Sequence, residues 1–106
     1  MAFVDTSLLN VVERRPGWRG RSFNSPGMTF VHYEFDAGSS IHEHHHTQEE
    51  VWNVIEGELE VTIGGVTRVA RAGMVAIAPP NTPHSVRALT DGRAIVVDTP
   101  LRPGFG

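Results

Sequence analysis

The chain has 106 residues, no cysteine and a formal charge of −3. That length makes one domain with a real core. The missing cysteines exclude disulfides, a thiolate metal site and a cysteine nucleophile, and the acidic balance offers no footprint for nucleic acid or an anionic membrane surface.

Residues 1–25 form an N-terminal arm. Leu8, Leu9, Val11 and Val12 make an apolar patch whose pattern fits a helical turn as well as an edge strand. Arg14, Arg15, Arg19 and Arg21 are interleaved with Pro16, Gly17, Trp18 and Gly20, which reads as a surface loop leading into a strand, its arginines a solvated face or, as the alternative, an anion site. Asn24-Ser25-Pro26-Gly27 is a turn, and Met28 to Phe35 is a strand ended by Asp36-Ala37-Gly38. After a histidine-rich strand come Val51 to Glu56 and Leu59 to Ile63. Gly64-Gly65 is a two-residue hairpin signal, returning as Val66 to Arg71. Met74 to Ala78 is wholly apolar and is expected to be a buried strand. Pro79-Pro80-Asn81-Thr82-Pro83 turns into His84 to Leu89, and Asp91-Gly92 into Arg93 to Asp98. About nine short strands with regular turn signals and no helix of three turns predict an all-β sandwich or barrel. No basic-then-apolar leader opens the sequence, and no apolar run approaches the roughly 20 residues that span a bilayer, so the cytoplasm is the expected location.

Four of the six histidines lie between His42 and His46, and Glu49 and Glu50 follow. Alternate residues of a strand share a face, so His42, His44 and His46 are expected on one side, with His45 on the other. A carboxylate on the next strand reaches the same point, and His84 after the proline-rich turn supplies a further imidazole. Buried polar groups without partners cost roughly 1–3 kcal/mol each, and a cation resolves that crowding by using their lone pairs. A histidine/glutamate ligand set suits one divalent transition metal: Mn, Fe, Co, Ni, Cu or Zn. The tract itself permits two His-x-His pairs, His42/His44 and His44/His46. By parity Trp52 and Val54 share the face of Glu50, so Trp52 is a candidate to stack on a flat ligand. His32 and Glu34 are candidates for the pocket or a dimer contact. Asp98 and Arg102 are candidates for substrate contact at the mouth.

At these residues the sequence resembles the cupin superfamily. Its first motif reads here as Gly38, His44, His46, Glu50 and Gly57, and its second as Gly73, Pro79, Asn81, His84 and Ala88. Asn81 stands where the family has glycine and Ala88 where it has asparagine. Asn81 still tolerates a left-handed turn. The resemblance implies a single cupin barrel over residues 1–106, a double-stranded β-helix or jelly roll. Its motifs lie at 38–57 and 73–88, and its metal ligands are His44, His46, Glu50 and His84.

Ile41 to Gly57, Gly65 to Pro83 and the closing Asp98-Thr99-Pro100-Leu101-Arg102 with Phe105 further resemble pectin-degradation cupins that open unsaturated uronate monomers. That resemblance implies metal-assisted isomerisation or ring opening of a small oxygen-rich molecule of the sugar-acid or keto-acid type. Asp98 would move a proton, with His42 as its alternative, and Arg102 would pair with a substrate carboxylate. Two other functions share the ligand set: an iron-dependent small-molecule oxygenase, and a non-catalytic metal- or ligand-binding module. The expected partners are a small molecule and a second copy of the chain, joined through sheet edges that include the N-terminal arm.

Overall fold

The computed structural model describes residues 2–104; Met1, Gly106 and Phe105, the last expected in the closing segment, lie outside the described residues. The ambiguous arm contains both of its alternatives. A 3₁₀ turn at Thr6–Leu8, capped by Asp5, precedes the edge strand β1 (Val12–Arg15). The arginine-rich stretch is not a loop. It is the hairpin from β1 into β2 (Trp18–Asn24), and Trp18 is a core residue.

The remaining strands are β3 (Thr29–Phe35), β4 (Ser40–His44), β5 (Glu49–Glu56), β6 (Glu58–Ile63), β7 (Val66–Arg71), β8 (Val75–Ala78), β9 (His84–Ala88) and β10 (Gly92–Thr99). They form two antiparallel sheets, one ordered β1-β2-β3-β10-β5-β8 and the other β4-β9-β6-β7. Gly64 and Gly65 both take positive φ (57° and 80°) and close the β6–β7 hairpin, as a two-residue turn between twisted strands requires. Gly57 also sits at positive φ, and a Cβ there would lie 2.3 Å from the Asp91 carbonyl oxygen. Only glycine fits that crossing between sheets. No helix among the described residues is long and apolar enough to cross a membrane.

The core lies between the sheets. Trp18, Phe35, Ile41, Trp52, Val54, Leu59, Val86, Ala94 and Val96 are all buried there. Strand β8 departs from expectation: it is an edge, with Val75 and Ile77 about half exposed (52% and 55%). Its inward residues are Ala76 and Ala78, placed opposite Trp52 and Glu50, so the larger partners fill the space. Its apolar run therefore came from two differently used faces.

Candidate metal centre

The site forms where β4, β9, β5 and β10 meet at one end of the sandwich. The inward row of β5 is Glu50, Trp52 and Val54, and that of β10 is Asp98, Val96 and Ala94, paired residue for residue. On the other sheet His44 pairs with His84, and Ile41 with Val86. Between Ile41 and His44 the register slips, so β4 carries an extra residue there. A bulge of this kind breaks strict alternation. His44 then points inward like Ile41, while His42 is exposed, contrary to the expectation that His42, His44 and His46 share one face. His45 is exposed as well.

His44, His46, Glu50 and His84 each offer one ligand atom, and these atoms all lie within 4.8 Å of one another. The His84 ring centroid is 4.4 Å from that of His44 and 5.0 Å from that of His46. His46 sits beyond the end of β4, in a loop held by the proline-rich turn: the Asn81 N–H donates to the His46 carbonyl at 2.8 Å. Asn81 adopts φ 60°, the left-handed conformation expected of the residue in the family's glycine position.

The three imidazoles are oriented alike. Their Nδ1 atoms face the carbonyl oxygens of His42 (2.9 Å), Gln48 (3.1 Å) and Thr82 (2.9 Å). A carbonyl only accepts, so each Nδ1 carries the proton and each Nε2 keeps its lone pair for the centre. The His84 Nε2 is buried without a hydrogen-bond partner. The His46 Nε2 lies 2.8 Å from Glu50 Oε2. A neutral imidazole has one N–H to serve both the Gln48 carbonyl and this carboxylate, which leaves an acceptor facing an acceptor. Burial, and then the nearby Arg102 charge, push the His46 pKa down, and burial lowers that of His44, so both are neutral at neutral pH. For His84 burial pulls down, but the Glu50 carboxylate at 3.6 Å and the Thr82 carbonyl prevail and raise it. An orphaned Nε2 and an acceptor pair are the demands a cation satisfies. The donor set therefore fits a divalent transition metal, without selecting which.

Glu50 is the most constrained member. The Trp52 indole N–H donates to Oε1, and Arg102 Nη1 approaches Oε2 at 3.1 Å. Burial opposes its charge, yet His84, then Asp98 and the Trp52 N–H, hold its pKa well below the usual carboxylate range. Asp98 stands directly across the sheet from Glu50 and is equally buried, and its Oδ1 has no hydrogen-bond partner. Burial, and then the Glu50 charge, push its pKa up to about 8, against the pull of Arg102 at 3.6 Å. Two buried carboxylates facing each other do not both ionise, and Asp98 keeps the proton. Arg102 is placed by a tied-down tail: its N–H donates to Thr29 Oγ1 at 2.9 Å, and Gln48 Nε2 donates to the Leu101 carbonyl at 3.1 Å.

A cavity lined by Arg15, Tyr33, His44, Glu50, Trp52, Asp98 and Arg102, among others, opens onto the cluster. Trp52 is 3% exposed; its ring stacks on Tyr33 and meets Trp18 edge-on, and it anchors Glu50 from the core side. His32 lies elsewhere. It is on the outer face of β3 beside Phe23, and alternation along β3 separates it from inward Val31 and Tyr33. Arg15, Tyr33 and Gln48 were not singled out from sequence. A polar residue between the ligands was the available signal for Gln48, and for Arg15 it was the arginine-rich stretch, whose alternative reading was an anion site.

Comparison with known proteins agrees with this geometry. Residues 31–100 match the family described as Cupin domain. Over 61 residues, 57% of the chain, the sequence is 41% identical to H2HPP isomerase of Bacillus subtilis, and it spans only 26% of that protein. An RmlC-like cupin from Shewanella frigidimarina superposes with a TM-score of 0.90 at 26% identity, covering 97% of this chain and 94% of that one. KdgF from Halomonas sp. gives 0.90 at 25% identity, covering 97% and 96%. With its two motifs, its paired antiparallel sheets and its converging histidines in place, the chain belongs to the cupin family.

Proposed function

We propose that this cupin binds one divalent transition metal through His44, His46, Glu50 and His84 and catalyses isomerisation or ring opening of a small sugar-acid or keto-acid. The observation that carries the reading is the pairing of that ligand cluster with a buried, protonated Asp98 in the same cavity. A bound metal supplies Lewis-acid polarisation of a substrate oxygen. The chain's own residues do the rest. Asp98 holds a proton at neutral pH beside the reacting centre and is the general acid; once ionised, it takes a proton back. Arg102 offers a planar fork to a substrate carboxylate. Trp52 and Tyr33 wall the cavity and exclude water.

The cavity leaves space of only about 20 Å³, enough for one water molecule. A sugar acid therefore requires the Arg15 and Arg102 side chains to swing aside, and both are on half-buried, long stems at the cavity rim. One relative is by name an isomerase, and the likeness to KdgF along nearly the whole chain is in keeping with the uronate-cupin resemblance of the tail. The test is loss of ultraviolet absorbance when an unsaturated uronate monomer meets metal-loaded protein, with His46→Ala as control. Acceleration lost in the control supports the reading. Rates equal to buffer across several metals remove this substrate class, and oxygen uptake instead would move the protein to the oxygenases.

The same proposal includes a homodimer. Phe3, Leu8, Val11 and Val12 expose apolar surface on the arm beside edge strand β1, which a second copy would cover. A sedimentation mass twice the 11.6 kDa of the chain is expected, and the single-chain mass at micromolar concentration would refute it.

A further inference from the structure

The arginine-rich hairpin brings one cation into the cavity that the ligand motifs do not account for. In β1 the register slips between Glu13 and Arg15: Glu13 faces Arg19, while Arg15 faces Trp18. One additional residue, Arg14, is accommodated on β1. Cross-strand neighbours share a face, so Arg15 is turned to the side on which Trp18 enters the core. Arg15 consequently lines the cavity with His44, Glu50, Asp98 and Arg102.

Its partner there is an imidazole, not a carboxylate. Arg15 Nη1 lies 2.8 Å from His42 Nδ1. A guanidinium only donates, so His42 Nδ1 is the acceptor. Among the described residues, no carboxylate lies within ion-pair distance of Arg15, whereas Arg19, Arg21, Arg93 and Arg102 each have at least one. Arg102 also faces the cavity, but it is already paired with the Glu50 carboxylate at 3.1 Å. Arg15 is thus a half-buried positive charge, held in place by an imidazole that leaves its charge unanswered.

From this we infer that Arg15 is a further anion-recognition residue of the cavity, acting with Arg102 on the carboxylate of an acidic ligand, and that His42 is a positioning residue that holds it over the mouth. The inference rests on the reading of this cavity as the substrate site and narrows it to anions. It also gives His42 a role other than proton transfer, since its Nδ1 is committed to Arg15 and its ring is exposed rather than aimed at the cluster.

The experiment measures binding of D-galacturonate and of uncharged D-galactose to the nickel-loaded full chain by calorimetry. Wild type should prefer the acid. Arg15→Gln should bind galacturonate roughly ten- to a hundredfold more weakly, as expected for a lost hydrogen bond to a charged group, with galactose binding, metal content and melting temperature unchanged. Arg15→Lys should recover part of the loss, and His42→Ala should show a smaller loss of the same kind. Equal binding of acid and sugar by wild type, binding of neither, or full galacturonate affinity in Arg15→Gln would each overturn the inference. Failure here is separable from failure of the proposed reaction. Galacturonate binding without opening of unsaturated uronate would remove the reaction and keep the anion site. Ring opening with an unchanged KM in Arg15→Gln would do the reverse.

Discussion

The same three strands, β5, β9 and β10, build two different layers. At the closed end β5, β10 and β9 bring Val54, Ala94 and Ala88 inward, packed with Leu59 from β6, and every one of these is at most 2% exposed. At the other end the same strands bring Glu50, Asp98 and His84 inward, and these are buried almost as deeply, at 2%, 2% and 3%. The intermediate layer of Trp52, Val96, Val86 and Ile41 joins them. Apolar burial stabilises the lower layer directly. In the upper layer the same burial opposes charge, leaves the His84 Nε2 and Asp98 Oδ1 without partners, and keeps a proton on Asp98. The lower layer therefore holds the fold, and the upper layer holds a site at the expense of the fold.

Substitutions should separate the two. Leu59→Ala, in the lower layer, should cost about 2–5 kcal/mol in denaturant unfolding, equally with and without metal. His84→Ala should instead abolish metal-linked stabilisation, the shift in melting temperature on adding metal. The metal-free variant should lose less than Leu59→Ala does, because the orphaned acceptor leaves with the side chain. If His84→Ala still gains stability from metal, the two layers are not distinct in the way described.

A pH series sharpens the contrast further. Asp98 is raised from 3.8 to about 8 by burial and by the Glu50 charge. Between those values the folded state holds a proton that the unfolded chain has released. Stability of the metal-free protein should therefore fall as pH rises through that window and level off above it. Asp98→Asn should flatten that part of the curve, and an unchanged slope would show that Asp98 ionises normally. The smallest effect is expected outside both layers: Ile77→Thr, on the exposed face of edge strand β8, should stay within about 0.5 kcal/mol of wild type.

Much of this division was legible in the residues. Alternation in Glu50-Val51-Trp52-Asn53-Val54 places the ligand and the core aromatics on one face, and the Gly64-Gly65 turn sets the β6–β7 register. Motif spacing brings His44, His46, Glu50 and His84 together, as the structure does. What sequence could not show were departures from alternation. The bulge before His44 turns His42 outward, and the slip in β1 turns Arg15 inward. The bulge before His44 has no glycine or proline to mark it and is set by pairing with distant β9. The β1 slip lies just before the Pro16-Gly17 turn, which signals a turn but not an extra residue. Trp18, read within a basic loop, is buried because β2 joins β3 in a seven-residue ladder from Trp18↔Phe35 to Asn24↔Thr29. The apolar run of β8 suggested burial, whereas its place at a sheet edge exposes Val75 and Ile77.

The central claim is that the upper layer is built around a metal. Its most direct test is elemental analysis of untagged protein purified without added metal, alongside His46→Ala and His84→Ala prepared identically. The account predicts one transition-metal ion per chain in the wild type and none in either variant. A metal-free wild type that takes up no divalent ion when offered one, or variants that retain a full complement, would contradict it.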